Sequence, residues 1–345
     1  TVDATSLADD VALTLSGGAN GKTATVNNLG GDLVATSLDS ALTIDLADNG
    51  DDNVISVTTG TDTTTINDSA SGDTITVDAT AMADDTVLTT AGAGSFTITG
   101  LKGDLNNTAS GTVSVTLADN GGTHSVTSSD AITVANGTAQ AGDTITLAGV
   151  GAKTVTGLVA NLSLDETNTG TTSVTTGATA LSIAAHAAAG NLTVDATSLA
   201  DDVALTLSGG ANGKTATVNN LGGDLVATSL DSALTIDLAD NGDDNVISVT
   251  TGTDTTTIND SASGDTITVD ATAMADDTVL TTAGAGSFTI TGLKGDLNNT
   301  ASGTVSVTLA DNGGTHSVTS SDAITVANGT AQAGDTITLA GVGAK

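Results

Sequence analysis

The chain has 345 residues, of which 40 are acidic and six are lysine, so its formal net charge is -34. This charge excludes binding to phosphate backbones of nucleic acids and electrostatic docking to anionic membranes. The absence of Cys excludes disulfides, thiolate metal sites and Cys nucleophiles. No apolar run approaches the roughly 20 residues needed to cross a bilayer, so we expect no membrane insertion.

Short runs in which apolar and polar residues alternate follow one another along the chain. They are VALTL (11–15), ALTIDL (41–46), VISV (54–57), TITV (74–77), SFTIT (95–99), VSVTL (113–117) and TITL (144–147). This period of two residues predicts β-strands with one wet face. Clusters such as SGGANGK (16–22), ADNGDDN (47–53) and ASGD (70–73) predict turns. For SIAAHAAAG (182–190) the sequence is compatible with a strand or with a helical turn.

The chain repeats itself without a mismatch, because residues 1–153 are identical to residues 193–345. We therefore divide it into one complete repeat, 1–192, and a partial second repeat, 193–345. A finer repetition, TVDATSLADD at 1 and TVDATAMADD at 76, divides the first repeat into subunits 1–75, 76–145 and 146–192. The second repeat then contains subunits 193–267 and 268–337, and 338–345 starts a third. Such arrays are typical of solenoids and fibres.

Two architectures fit an all-β chain of this kind. In a parallel β-solenoid, or β-helix, each coil of the tandem repeats stacks on the coil before it. In a string of β-sandwich domains each domain closes separately, usually around large aromatic residues. The chain contains no Trp, Tyr or Pro, and its only aromatic residues are Phe96 and Phe288. This composition favours the solenoid, with the string of sandwiches as the alternative.

Pairs of aspartates are the candidate metal ligands, because Ca²⁺ prefers oxygen ligands in turns. The pairs are Asp9 with Asp10, Asp84 with Asp85, Asp201 with Asp202, and Asp276 with Asp277. The ordinary interpretation is that they are solvated turn carboxylates. Calcium is the one cofactor that the sequence suggests.

Thr pairs and histidines are the residues that bear on two other functions, ice binding and catalysis. Thr74 with Thr76, Thr97 with Thr99, Thr144 with Thr146, and Thr154 with Thr156 are spaced like the Thr ladders of ice-binding solenoids. The intervals between successive pairs are unequal, so β-propensity on a wet face is the simpler explanation. The three histidines His124, His186 and His316 lie in no nucleophile or HExxH pattern, and we expect no enzymatic activity.

The stretch GDTITVDATAMADDTVLTTAGAGSFTITGLKGDL (72–105) resembles the arrays of giant, repeat-rich proteins secreted to bacterial cell surfaces, including adhesins and cyanobacterial surface proteins. The resemblance covers nearly the whole chain and rests on composition and strand patterns. ASGDTITV (70–77) is distantly similar to the calcium-binding nonapeptide of secreted toxin-type repeats, although the double Gly is absent. The resemblance implies secretion and an association with calcium-binding repeats.

Together these observations predict a structural extracellular protein that forms a rod or filament on the bacterial cell surface or in the extracellular or biofilm matrix. The partner that we expect is a second copy, bound end to end or side by side, and we expect no nucleic acid partner. The alternative function is an adhesin shaft, stiffened by calcium, whose binding tip lies outside these residues.

Overall fold

A computed structural model describes residues 1–8, 11–47, 53–239, 245–311, 313–333 and 335–345. The described residues contain 34 β-strands and no helix. None of these residues therefore forms a helix of the length and apolarity that crossing a membrane requires. The chain divides into two compact units, Thr1–Thr172 and Ser173–Lys345. This division does not coincide with the boundary of the sequence repeats, which lies between Leu192 and Thr193.

The first unit contains the strands β1 (Val2–Asp3), β2 (Leu13–Gly17), β3 (Thr23–Leu29), β4 (Leu33–Leu38), β5 (Ala41–Leu46), β6 (Val54–Thr58), β7 (Thr64–Asp68), β8 (Thr74–Asp78), β9 (Val87–Gly92), β10 (Ser95–Leu101), β11 (Asp104–Ala109), β12 (Val113–Leu117), β13 (Thr123–Ser128), β14 (Ile132–Ala135), β15 (Thr144–Ala148), β16 (Lys153–Leu158) and β17 (Asn161–Leu164). Strand β18 (Thr172–Thr176) contains the point of division between the units.

The second unit continues with β19 (Leu181–Ala185), β20 (Leu192–Asp195), β21 (Ala204–Gly209), β22 (Thr215–Leu221), β23 (Asp224–Leu230), β24 (Ala233–Leu238), β25 (Val246–Thr250), β26 (Thr256–Asp260), β27 (Thr266–Asp270), β28 (Val279–Gly284), β29 (Ser287–Leu293), β30 (Asp296–Asn299), β31 (Val305–Leu309), β32 (Thr315–Ser320), β33 (Ile324–Ala327) and β34 (Thr336–Ala340).

Strands β1 to β15 of the first unit each pair in parallel with the strand two places further along the chain. The odd-numbered strands β1 to β17 thus form one sheet. The even-numbered strands β2 to β16 form a second sheet. Two strands and two corners make one coil, and successive coils stack by backbone hydrogen bonds. The predicted parallel β-solenoid is confirmed, whereas the alternative string of β-sandwiches is not what the chain forms.

The second unit has the same construction. Its odd-numbered strands from β19 to β33 pair in parallel in one sheet. Its even-numbered strands from β20 to β34 pair in parallel in the other. The stretch 182–190 begins within strand β19 and continues into a turn, so its strand interpretation is the correct one for residues 182–185.

The core is built from inward-facing aliphatic residues that stack from coil to coil. Val26, Ile44 and Ile66 are paired in register on β3, β5 and β7, and each side chain is fully buried. Burying one such side chain contributes about 1.5–3 kcal/mol, so columns of this kind supply most of the stability. Phe96 and Phe288 are both 1% exposed, which places the only aromatic rings of the chain in the core.

Candidate functional site

The predicted calcium ligands that the structure describes all lie in exposed turns. Asp84 and Asp85 lie between β8 and β9, and their copies Asp276 and Asp277 lie between β27 and β28. Asp201 and Asp202 lie between β20 and β21, and Asp202 has a left-handed φ of 57°. Asp9 and Asp10 are outside the described residues. Across the described ranges, no three His, Cys, Asp or Glu side chains come together in an arrangement that could hold a metal ion.

Other aspartates act as caps where strands end. In an Asp-x-Thr motif the Asp Oδ1 accepts hydrogen bonds from the backbone N–H and the hydroxyl of the Thr two residues on. The motif occurs at Asp3, Asp78, Asp165, Asp195 and Asp270. The bond from the Thr5 hydroxyl is the main reason that the pKa of Asp3 is lowered, as is that from Thr197 for the pKa of Asp195. These side-chain hydrogen bonds stabilise the turns that follow the strands.

The acids that the fold buries were not singled out by the sequence. Asp68 and Asp73 flank the corner between β7 and β8, and each side chain is 1% exposed. Asp73 Oδ1 accepts a hydrogen bond of 2.8 Å from the backbone N–H of Asn53, and Asp73 Oδ2 has no hydrogen-bond partner in the part of the chain described. Asp68 Oδ1 accepts a bond of 3.2 Å from Ala70 N. Both carboxyl groups therefore lie on the core side of the corner, away from solvent.

A buried polar network links three neighbouring coils of the first unit. The Thr90 hydroxyl donates to Asn107 Oδ1 at 2.7 Å, and Asn107 Nδ2 donates to Ser128 Oγ at 2.8 Å. The Ser128 hydroxyl in turn donates to the backbone oxygen of Asp130 at 2.8 Å. Thr282, Asn299 and Ser320 repeat this arrangement in the second unit. Because every side chain in the network is partnered, it fixes the register of three coils.

Lys153 extends the network from the next coil and is 1% exposed. Its Nζ donates to the backbone oxygens of Ser128 and Gly149, each at 3.2 Å, and of Gly151, at 2.6 Å. Burial lowers the pKa of the Lys153 ammonium from 10.5 to about 8. Keeping the Lys153 amine charged in the folded chain therefore costs free energy.

The depressed pKa of Lys153 predicts a stability that depends on pH. Below pH 8 both the folded and the unfolded chain carry the proton. Between pH 8 and pH 10.5 only the unfolded chain keeps it, so the free energy of unfolding rises with pH. We expect the wild-type chain to gain about 2–3 kcal/mol over this range relative to Lys153→Met, measured by urea unfolding at fixed pH values.

Lys345 provides the matched control for this measurement. It occupies the same position in the repeat, yet its side chain is exposed and its Nζ donates to Gly343 O at 2.7 Å. Lys345→Met is expected to leave the pH dependence unchanged. Equal slopes for wild type and Lys153→Met would contradict the prediction.

Two of the three histidines are buried, and the third lies in an exposed turn. His124 and His316 are fully buried on β13 and β32. His124 Nδ1 lies 3.5 Å from Asn120 Nδ2, and His316 Nδ1 lies 3.4 Å from Gly295 O. His186 is exposed, and its Nδ1 accepts a hydrogen bond of 3.2 Å from Ala188 N in a turn.

One sheet of the first unit presents a surface made almost entirely of hydroxyl groups. We call the outward side chains of β8, β10, β12, β14 and β16 the hydroxyl face. All of them except Asp78 and Ala135 are Ser or Thr: Thr74, Thr76, Ser95, Thr97, Thr99, Ser114, Thr116, Thr133, Thr154 and Thr156.

The hydroxyl face is organised by the register of its strands. A central ladder runs through Thr76, Thr97, Ser114, Thr133 and Thr154, each paired with the next. Ser56 on β6 extends it by one coil, because Ser56 pairs with Thr76. The second unit repeats the ladder on β25 to β33 as Ser248, Thr268, Thr289, Ser306 and Thr325. Sequence spacing missed this ladder, because the corners between its strands differ in length.

Comparison of the chain with protein-family models, with curated proteins and with solved structures gives no match.

Proposed function

We propose that this chain is a structural extracellular protein that forms a rod or filament on the bacterial cell surface or in the extracellular matrix. The observation that supports the proposal is the pairing of each strand with the strand two places along within each unit. Because every coil is a platform for the next, an additional copy of the sequence adds further coils. The perfect identity of 1–153 with 193–345 fits selection for length.

The net charge of -34 supports the same proposal. A strongly acidic surface keeps long chains apart and soluble. In the proposed filament, copies of the chain associate end to end or side by side.

Electron microscopy of chains with one, two and four copies of the complete repeat 1–192 tests the structural role. We expect thin particles of one width whose length increases by a constant step per copy. Antibodies to the chain, applied to intact producing cells, are expected to label the cell exterior. Separate globules joined by hinges, or label found only after lysis, would contradict the proposal.

Calcium is part of the proposal as a stiffening ion held at the Asp pairs. The two carboxylates of a pair supply a fraction of the six to eight oxygens that Ca²⁺ takes, with backbone carbonyls and water as the remainder. We expect millimolar Ca²⁺ to raise the melting temperature by about 2 °C or more above NaCl of equal ionic strength. Replacing Asp84, Asp85, Asp276 and Asp277 by Asn is expected to reduce this difference, because it removes two of the four Asp pairs.

A variant with four other exposed aspartates replaced by Asn matches the change in charge: Asp39, Asp130, Asp231 and Asp322. This control is expected to keep the calcium effect. If Ca²⁺ and NaCl act alike on the wild-type chain, its carboxylates are only screened and the calcium proposal is wrong.

A further inference from the structure

We propose that the hydroxyl face binds ice. The proposal is independent of the structural role, since it concerns the surface of the coils and not their stacking. It rests on the register of the ladders, on the neutrality of the face, and on a hydroxyl-rich depression at one edge of the face.

The ladders repeat hydroxyl groups in two perpendicular directions. Along a ladder, neighbouring strands of a sheet are separated by about 4.8 Å. Across the ladders, alternate residues of one strand, such as Thr97 and Thr99 or Thr154 and Thr156, are separated by about 6.6 Å. The oxygen lattice of hexagonal ice repeats at similar spacings along two perpendicular directions of its prism face. Hydroxyl groups arranged in this way can hold a layer of water that continues into the crystal.

The threonine side chain suits this task because it is stiff. A branched Cβ leaves few χ1 rotamers, so ordering the hydroxyl groups costs little entropy on binding. A depression of about 340 Å³ lies at the edge of the face where β8, β10 and β12 begin, and it has space for on the order of ten waters at liquid density. Its lining contains Phe96 and Val113 beside six hydroxyl residues: Thr74, Ser95, Thr97, Thr112, Ser114 and Thr133. The Thr112 hydroxyl donates to Ser95 Oγ at 3.0 Å, which continues the ladder pattern at this edge.

The charge of the face indicates a neutral partner. The whole chain carries 40 acidic residues, yet Asp78 is the one acid among the outward side chains of β8, β10, β12, β14 and β16. Its Oδ1 is engaged by the Thr80 N–H at 3.0 Å and by the Thr80 hydroxyl at 2.7 Å. On the other sheet, the outward residues of β7, β9 and β11 include Asn67, Val87, Asp104 and Asn106, which interrupt the hydroxyl pattern.

Two other occupants fit the face less well. Crystalline polysaccharides are commonly held against exposed aromatic rings, and both aromatic residues of this chain, Phe96 and Phe288, are buried. A second copy would have to dehydrate the hydroxyl ladders, which costs free energy unless each group finds a new partner. The water molecules of ice can form hydrogen bonds with the hydroxyl groups in place of those that liquid water formed.

The test measures how the complete chain distributes between ice and liquid during slow freezing, together with thermal hysteresis. We expect the wild-type chain to enter the ice and to show hysteresis. Thr97→Lys combined with Thr289→Lys places a hydrated charge in the central ladder of each copy and is expected to abolish both effects. The milder Thr97→Ser with Thr289→Ser keeps the hydroxyls and is expected to retain binding in part.

Thr108→Lys with Thr300→Lys is the matched control, because both threonines are exposed and Thr108 lies on the other sheet of its unit. This variant is expected to bind ice like wild type, and circular dichroism should show that both Lys variants fold. The proposal is overturned if the wild-type chain is excluded from ice, if the two Lys variants lose binding equally, or if the chain binds insoluble chitin or cellulose and not ice.

Discussion

Asn107→Leu is expected to lower the free energy of unfolding by about 3–5 kcal/mol, although the two side chains have the same number of non-hydrogen atoms. Asn107 accepts hydrogen bonds from the Thr90 hydroxyl and from Ala109 N, and it donates one to Ser128 Oγ. Leucine removes all of these bonds at once. The Thr90 hydroxyl and the Ala109 N–H stay buried and lose their partner, at about 1–3 kcal/mol each, whereas the Ser128 hydroxyl keeps its bond to Asp130 O.

The neighbouring residue provides the control for Asn107. Asn106 lies on the same strand, β11, but its side chain points to solvent. Asn106→Leu is therefore expected to change the free energy of unfolding by less than about 0.5 kcal/mol. Urea unfolding of both variants measures the difference. Similar losses for the two would show that the buried network contributes little.

Gly92→Ala is the second substitution with a large expected effect, a loss of about 3–5 kcal/mol from backbone strain and steric overlap together. Gly92 ends β9 with a left-handed φ of 102°. A Cβ at this position would lie 1.5 Å from the backbone oxygen of Asp68 in the preceding coil. That oxygen also accepts a hydrogen bond of 2.8 Å from Ala93 N. The preceding coil therefore cannot move away from the added methyl group without breaking this hydrogen bond.

Comparing Gly17→Ala with Gly92→Ala separates the cost of backbone strain from the cost of steric overlap. Gly17 also ends a strand, β2, with a φ of 82°, but no atom lies within 4 Å of the position that its Cβ would take. Only the cost of a left-handed residue remains, about 1–2 kcal/mol. Urea unfolding of both variants should therefore show a larger loss for Gly92→Ala. Equal losses would mean that the coils yield to the added methyl group.

The fold class was predictable because the inward positions of many strands are plainly apolar. In β5 the residues Leu42, Ile44 and Leu46 alternate with outward residues, and the sequence predicts this strand with its observed bounds. The sequence favoured parallel stacked coils over separate sandwiches because it contains no Pro, Trp or Tyr and only two Phe.

Other strands were missed because their inward positions are polar. β11 places Asn107 inward, and β13 places His124 and Ser128 inward. Alternation of hydropathy therefore fails along each of these strands. Burying these polar residues is favourable only when neighbouring coils supply hydrogen-bond partners. A local stretch of sequence does not show which coils will be neighbours.

The hydroxyl face shows the same limitation. Thr76, Thr97 and Thr154 share one ladder, whereas Thr144 and Thr146 lie on β15 in the other sheet. Sequence intervals between these residues are irregular because the corners vary in length while the strands stay in register. The positions of the Asp pairs, by contrast, agree with the turns expected for them wherever the structure describes these residues.

The pairing of nearest coils has a consequence for how such a chain acquires its structure. Leu105 pairs with Leu88, and Leu88 pairs with Thr64, so each partner is separated from the next by a single coil of sequence. Contacts of such short range keep the loop-closure entropy of each new coil small and independent of total length. Within a unit, a newly emerging segment can dock onto the coil already formed, as in a zipper closing from one end, before the rest of the chain has been made.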